Sequence, residues 1–259
     1  MNHLPSVSVY NHIQSPRRKT SKSLLAVASS GFTTNTDNSL GTQNAFAALP
    51  FTLIEVDSIA TNFEGESKTV LKNDAVTEAS IKNISLDQYK YIHFATHGDI
   101  NEVTPSQSGL ILSKKQETEI LFGEDGLLNA KEIASLNLNA DLVVLSACNT
   151  GMGRVITGEG LLGLQRSFLA AGASSVVSSL WSIYDRSTPL FMQTFYSKLS
   201  DYEENDSGFI NRFLRWSNLS NPKLVNNNAL ALRDAKLEMI EHPYYSHPVH
   251  WASFVITGK

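Results

Sequence analysis

The chain carries a single cysteine, Cys148, and it stands at the end of an apolar run, Leu142-Val143-Val144-Leu145-Ser146-Ala147, just before the turn residues Asn149-Thr150-Gly151. A second run of the same kind, Tyr91-Ile92-His93-Phe94-Ala95-Thr96, ends in His97-Gly98. The thiol and the imidazole lie 148 − 97 = 51 residues apart. A free thiol titrates at about pH 8.5, and only the thiolate attacks. At neutral pH about a few per cent is ionised unless a base assists. A histidine at hydrogen-bond distance supplies that base and later returns the proton to a leaving amine. Gly98 has no Cβ, so a substrate backbone can approach its N–H. That N–H and the backbone N–H of Cys148 could together form an oxyanion hole. The other reading of Cys148 is an inert buried thiol, since free cysteine is often buried. Its place at a strand end, matched by His-Gly at another, favours the nucleophile.

Chemistry of this kind needs rigid strands ending side by side. Leu142 to Ala147 reads as a strand buried on both faces, the kind found inside a parallel sheet. In open α/β sheets ligands bind beyond the carboxyl ends of the strands. Further strands are expected at Ser6–Tyr10, Leu24–Ala28, Thr69–Leu71, Ser175–Trp181 and His250–Thr257. Helices are expected at 50–64, 129–136, 158–171, 186–199 and 228–241, with another from an Asp74 cap to about Ile84, its start supported by Glu78. Gly109–Ser113 and Glu119–Phe122 read as a hairpin or flap, set apart from the central sheet. Residues 29–45 read as a loop, and 201–224 are too polar and irregular to assign. Alternating strands and helices indicate an α/β fold: a mostly parallel sheet, flanked by helices, with right-handed crossovers.

Composition narrows the function. Hydrophobic residues make up 42% of 259 and charged residues 18%, an ordinary globular balance for one large domain. A lone cysteine forms no internal disulfide, which points to a reducing, cytoplasmic setting. A net charge of −4 gives no general attraction to nucleic acid. No apolar run is long enough for a membrane span. Leu24–Ala28 after Arg17-Arg18-Lys19 is too short for a signal peptide. Ile156 breaks the dinucleotide pattern that Gly151, Gly153 and Gly158 suggest, and no phosphate-loop motif occurs, so no cofactor is expected. Ser146 is not in a nucleophile elbow. His242, His247 and His250 do not have the spacing of a common zinc site, so no metal is expected. His93 reads as a locally bonded core residue. Asp185, after the Ser175–Trp181 strand, could cap the next helix or line the crevice as an anionic recognition group.

Several stretches together carry a family resemblance: Phe94-Ala95-Thr96-His97-Gly98, Leu145-Ser146-Ala147-Cys148-Asn149-Thr150-Gly151, Gly158-Glu159-Gly160-Leu161, Leu180-Trp181-Ser182-Ile183-Tyr184-Asp185, and His242-Pro243-Tyr244-Tyr245 with Trp251-Ala252-Ser253-Phe254-Val255. The chain resembles the CHAT family, caspase-like domains related to separase and often found in bacteria behind tetratricopeptide repeats. The 51-residue interval also matches the roughly 50 residues between histidine and cysteine in caspase-type proteases. The resemblance covers essentially the whole chain and implies a caspase-haemoglobinase fold, with His97 and Cys148 as the dyad. It also implies that Asp185 contacts a basic residue on the substrate. Residues 1–259 then read as one domain lacking the first strands of a full-length one. The expected function is a cysteine endopeptidase acting on a protein substrate, regulated by a partner or a repeat module. A non-catalytic interaction module is the first alternative, and a small-molecule cysteine hydrolase or transferase the second.

Overall fold

In a computed structural model, residues 18–30, 48–113, 124–149, 159–207 and 226–258 are described, with positions 148, 149, 159 and 205–207 defined by backbone alone. The centre is a sheet built on β1 (Lys22–Ala28), β2 (Lys68–Lys72), β3 (Tyr89–Asp99), β6 (Leu142–Asn149), β7 (Ser175–Ser179) and β8 (Phe254–Gly258). Their order is β2-β1-β3-β6-β7-β8; all neighbours are parallel except β7 and β8. The α/β class and the mostly parallel sheet are therefore as expected. Leu24, Leu25, Ala26, Val27 and Ala28 are wholly buried, as a strand covered on both faces requires.

Alternation along the strands divides the core in two. Leu25, Val27, Ile92, Phe94, Val143 and Leu145 face one layer, packing with side chains of α2 (Glu78–Asn83), α3 (Ala130–Ser135) and α4 (Glu159–Ala171). Leu24, Ala26, Tyr91, Ala95, Leu142 and Val144 face the other, with α1 (Phe51–Thr61), α5 (Thr188–Ser207) and α6 (Asn227–Glu241). Each leucine or valine so buried contributes about 1.5–3 kcal/mol. A charged residue at Val144 would therefore break the centre of the fold. Gly172 ends α4 at φ +120°, and a Cβ there would lie 2.1 Å from the Leu138 carbonyl oxygen. Only glycine accommodates both constraints.

Several local expectations are corrected. Asp74 does not cap a helix. Asn73, at φ 48°, turns the chain into a short 3-10 turn (Asn73–Ala75), and α2 starts later under a Thr77 cap. The Thr77 side chain accepts from the Ser80 N–H, and Ser80 accepts from the Thr77 N–H, a reciprocal cap. Glu78 does stand in the first turn of α2. The closing strand starts at Phe254, because Pro248 opens a 3-10 turn (Pro248–His250) capped by His247. β7 ends at Ser179, two residues before Trp181.

The flap is joined to the sheet, not set apart from it. β4 (Gly109–Ile111) pairs antiparallel with His97–Asp99 and with β5 (Leu127–Asn129). The short parallel strand β1 ends at Ala28, opposite Ala95, which leaves the last residues of β3 for β4 to pair with. The expected strands Ser6–Tyr10 and Glu119–Phe122 lie outside the described residues. Among the described residues, no helix is long and apolar enough to cross a membrane.

Candidate active site

β3 and β6 run parallel, and their register sets His97 directly opposite Cys148, with Gly98 opposite Asn149. Side chains alternate faces along a strand. Positions 97 and 148 therefore share the face of the sheet that carries His93 and Ala95. This pairing needs both strands to be in a fixed register. Tyr91, Ile92, His93 and Phe94 against Leu142, Val143, Val144 and Leu145 provide it, because a slip of one residue would turn their apolar side chains to the wrong layer. His97 is wholly buried. The Gly98 backbone lies between two ladders, paired in register with Leu110 of β4 and Asn149 of β6.

Asp185 sits in the loop between β7 and α5, partly buried. Its Oδ2 accepts a hydrogen bond of 3.2 Å from the Phe51 N–H, the first of α1. The carboxylate therefore caps a helix, but one 134 residues away in sequence and not the helix that follows it. Pro50, at the N-cap position of α1, provides no side-chain cap. Burial pushes the Asp185 carboxyl up; the Phe51 N–H pulls it down, and the Glu55 carboxylate adds to the rise. Among the sequence candidates, the structure brings His97, Gly98 and Cys148 together at the ends of two neighbouring strands. Asp185 follows the next strand out, β7.

Behind His97 on the same face is a polar group that sequence reasoning passed over. The His93 Nε2 and Glu55 Oε1 are 2.9 Å apart, with both side chains buried. The Tyr196 hydroxyl lies 3.3 Å from the His93 Nδ1. Burial, and then the Glu55 charge, hold the Tyr196 phenol well above its ordinary range. His93 is thus the locally bonded core residue expected. The one sequence signal for Glu55 was an acid set among Leu53, Ile54 and Val56, apolar neighbours on a helix. The histidines near the C-terminus also have structural partners. His242 stacks on Tyr245 at 4.9 Å between ring centres, and His250 lies 3.0 Å from the Ser187 hydroxyl. Among the described residues, no group of three acidic, histidine or cysteine side chains could hold a metal.

A mostly parallel sheet with helices on both faces defines an α/β architecture, with His97 and Cys148 in register at adjacent strand ends. The chain belongs to the CHAT domain family, whose model matches residues 1–259. It is 33% identical over 133 residues to the tetratricopeptide repeat protein 28 of Mus musculus, covering 51% of this chain and 4% of that protein. With the Homo sapiens protein of the same name it is 28% identical over 202 residues, covering 68% and 7%. The chain thus spans a small part of the length of these relatives. The structure of gingipain R (RGPB), an Arg-specific cysteine proteinase, superposes with a TM-score of 0.52 at 12% identity, covering 97% of this chain and 50% of that one. The Saccharomyces cerevisiae separase–securin complex gives 0.53 at 14%, covering 99% and 14%. At these identities the likeness is one of fold.

Proposed function

We propose that the chain is a cysteine endopeptidase with Cys148 as nucleophile and His97 as its general base. The observation that carries this reading is the register of His97 against Cys148 at the carboxyl edge of a parallel sheet. In the proposed reaction His97 takes the thiol proton, and the sulfur attacks the peptide carbonyl carbon. The backbone N–H groups of Gly98 and Cys148 are the proposed donors to the developing oxyanion. The C–N bond breaks as His97 gives its proton to the departing amine. Water, deprotonated by His97, then cleaves the thioester and restores the thiol.

Asp185 is the proposed recognition group for a basic residue before the scissile bond, with arginine ahead of lysine. A carboxylate can accept two parallel hydrogen bonds from a guanidinium, whereas an ammonium offers only a point charge. The Arg specificity of gingipain R, a protein of the same fold, supports this reading. A lone cysteine suits a reducing compartment such as the cytoplasm. Regulation by a protein partner or adjoining repeats fits the separase–securin complex and the tetratricopeptide relatives. Peptide turnover by the full chain tests the reading. Cys148→Ala should abolish cleavage while the chain stays folded; cleavage at the wild-type rate in that variant contradicts it.

One observation favours a second reading. His97 is wholly buried, with β4 paired across it, as in a module that binds without turning over. Partner binding that survives loss of both His97 and Cys148, in a chain with no turnover, would support that module.

A further inference from the structure

On the other face of the sheet from positions 97 and 148, at the same carboxyl edge, is a small apolar pocket between the strands and α4. Its walls include Gly98, Leu145, Ala147, Leu161, Leu164 and Leu180. Its space, about 390 Å³, includes the open mouth continuous with solvent. We propose that this pocket is a second specificity site, taking an aliphatic side chain from the residue next to the basic residue of an extended peptide. The proposal rests on the endopeptidase reading for its occupant.

Three observations carry it. The first is place: Gly98 follows His97 and Ala147 precedes Cys148, so the pocket begins one residue from each member of the pair, on the opposite face. The second is the geometry of an extended peptide, whose successive side chains point to opposite sides. A peptide crossing this edge with its basic residue towards Asp185 turns the neighbouring side chain the other way. The third is chemistry. None of the described lining residues is charged, and the two hydroxyls among them are engaged within the fold. The Ser178 Oγ accepts from the Gln165 Nε2 at 2.5 Å, and the Ser179 Oγ donates to the Ala147 carbonyl at 3.1 Å. A polar or charged side chain entering would lose water and find no ready partner, whereas leucine would lose nothing. Leu145 and Leu164 form a buried base, and Leu180 is 42% exposed.

The test reads binding on the full chain carrying Cys148→Ala, so that no peptide is consumed. Fluorescent extended peptides contain one arginine, with leucine, glycine or aspartate placed either before or after it. In one of the two placements leucine should bind about tenfold or more tighter than aspartate. Leu161→Phe in the same background should fill the pocket and remove the leucine preference, while replacement of the arginine by leucine still weakens binding as before. Leu161→Ala should shift the preference from leucine towards phenylalanine. Equal binding of the three residues in both placements, no binding of any peptide, or an equal loss for all peptides in the Leu161 variants overturns the proposal. Wild-type turnover is measured separately; absent cleavage with discriminating binding would count against the endopeptidase and leave the pocket standing.

Discussion

At the scale of single residues, Asp185 has a structural contact and a proposed recognition role, and the two can be separated. It caps α1 through the Phe51 N–H, a job that asparagine performs about as well. Recognition of a guanidinium needs its negative charge. Asp185→Asn should therefore lower kcat/KM for a substrate with arginine before the scissile bond by roughly 30-fold or more, matching about 2–5 kcal/mol for a lost charged partner. A leucine substrate should be little affected, and equal losses for both substrates would remove Asp185 from recognition. Burial raises the Asp185 carboxyl, with Glu55 adding to the effect, so its charge is lost on acidification at a higher pH than for an ordinary aspartate. The preference for arginine over leucine should accordingly fall with a midpoint above about 3.9, the usual aspartate value, and the pH profile should be flat in Asp185→Asn. Because the folded carboxyl is raised, ionisation opposes folding as pH rises through the shifted value. The variant should then melt no lower than wild type at neutral pH, and a clear fall in Tm would show a structural role beyond the cap.

At the scale of elements, the β4–β5 hairpin is held against the end of the histidine strand by a latch from α2. Glu78, buried, accepts from the Gly126 N–H at 2.6 Å and pairs with Lys82 at 2.8 Å. Two backbone bonds reinforce it, Leu112 N–H to Gly126 O and Ser113 N–H to Val76 O. Glu78→Ala should cost about 1–3 kcal/mol by leaving the buried Gly126 N–H unmade, and amide exchange at β4 should quicken; unchanged exchange would show that the latch does not hold the hairpin. Burial outweighs Lys82 and the Gly126 N–H in setting the Glu78 carboxyl, which is raised. Its contribution to stability is thus greatest while it is protonated and declines as pH rises from the ordinary glutamate range through the raised value. That dependence should vanish in Glu78→Gln, as denaturant titrations at several pH values would show. Across the sheet, Glu55→Ala should cost about 1.5–3 kcal/mol by breaking the buried bond to His93, read as a lower unfolding midpoint. The site strands were legible in the sequence because a strand covered on both faces is written as an unbroken apolar run. Asn129 likewise announced the start of α3, which its side chain caps. The Asp185–Phe51 cap and the Glu55–His93 bond were not legible, since each joins residues far apart in sequence and only the packed fold brings them together. The early turn at Asn73 and the late start of β8 were missed because one backbone angle and one proline overrode patterns that otherwise read as helix and strand.

At the scale of the whole molecule, a candidate reactive pair stands beside a hairpin that pairs with the other edge of the histidine strand. With His97 wholly buried and β4 paired across His97–Asp99, turnover by the chain alone should be low. It should rise when a partner or adjoining repeat segment shifts the hairpin, an order–disorder form of control. Rates that are full in the chain alone and unmoved by any such addition would contradict this. The central claim, that Cys148 and His97 act together, is tested most directly by covalent trapping with an arginine-containing peptide that carries an electrophile in place of the scissile carbonyl. Mass spectrometry of the full chain should find one adduct, on Cys148. The rate of labelling should fall about 10²–10⁴-fold in His97→Ala, as expected when a positioned base is lost. Labelling of Cys148 at the same rate with and without His97 would contradict the account.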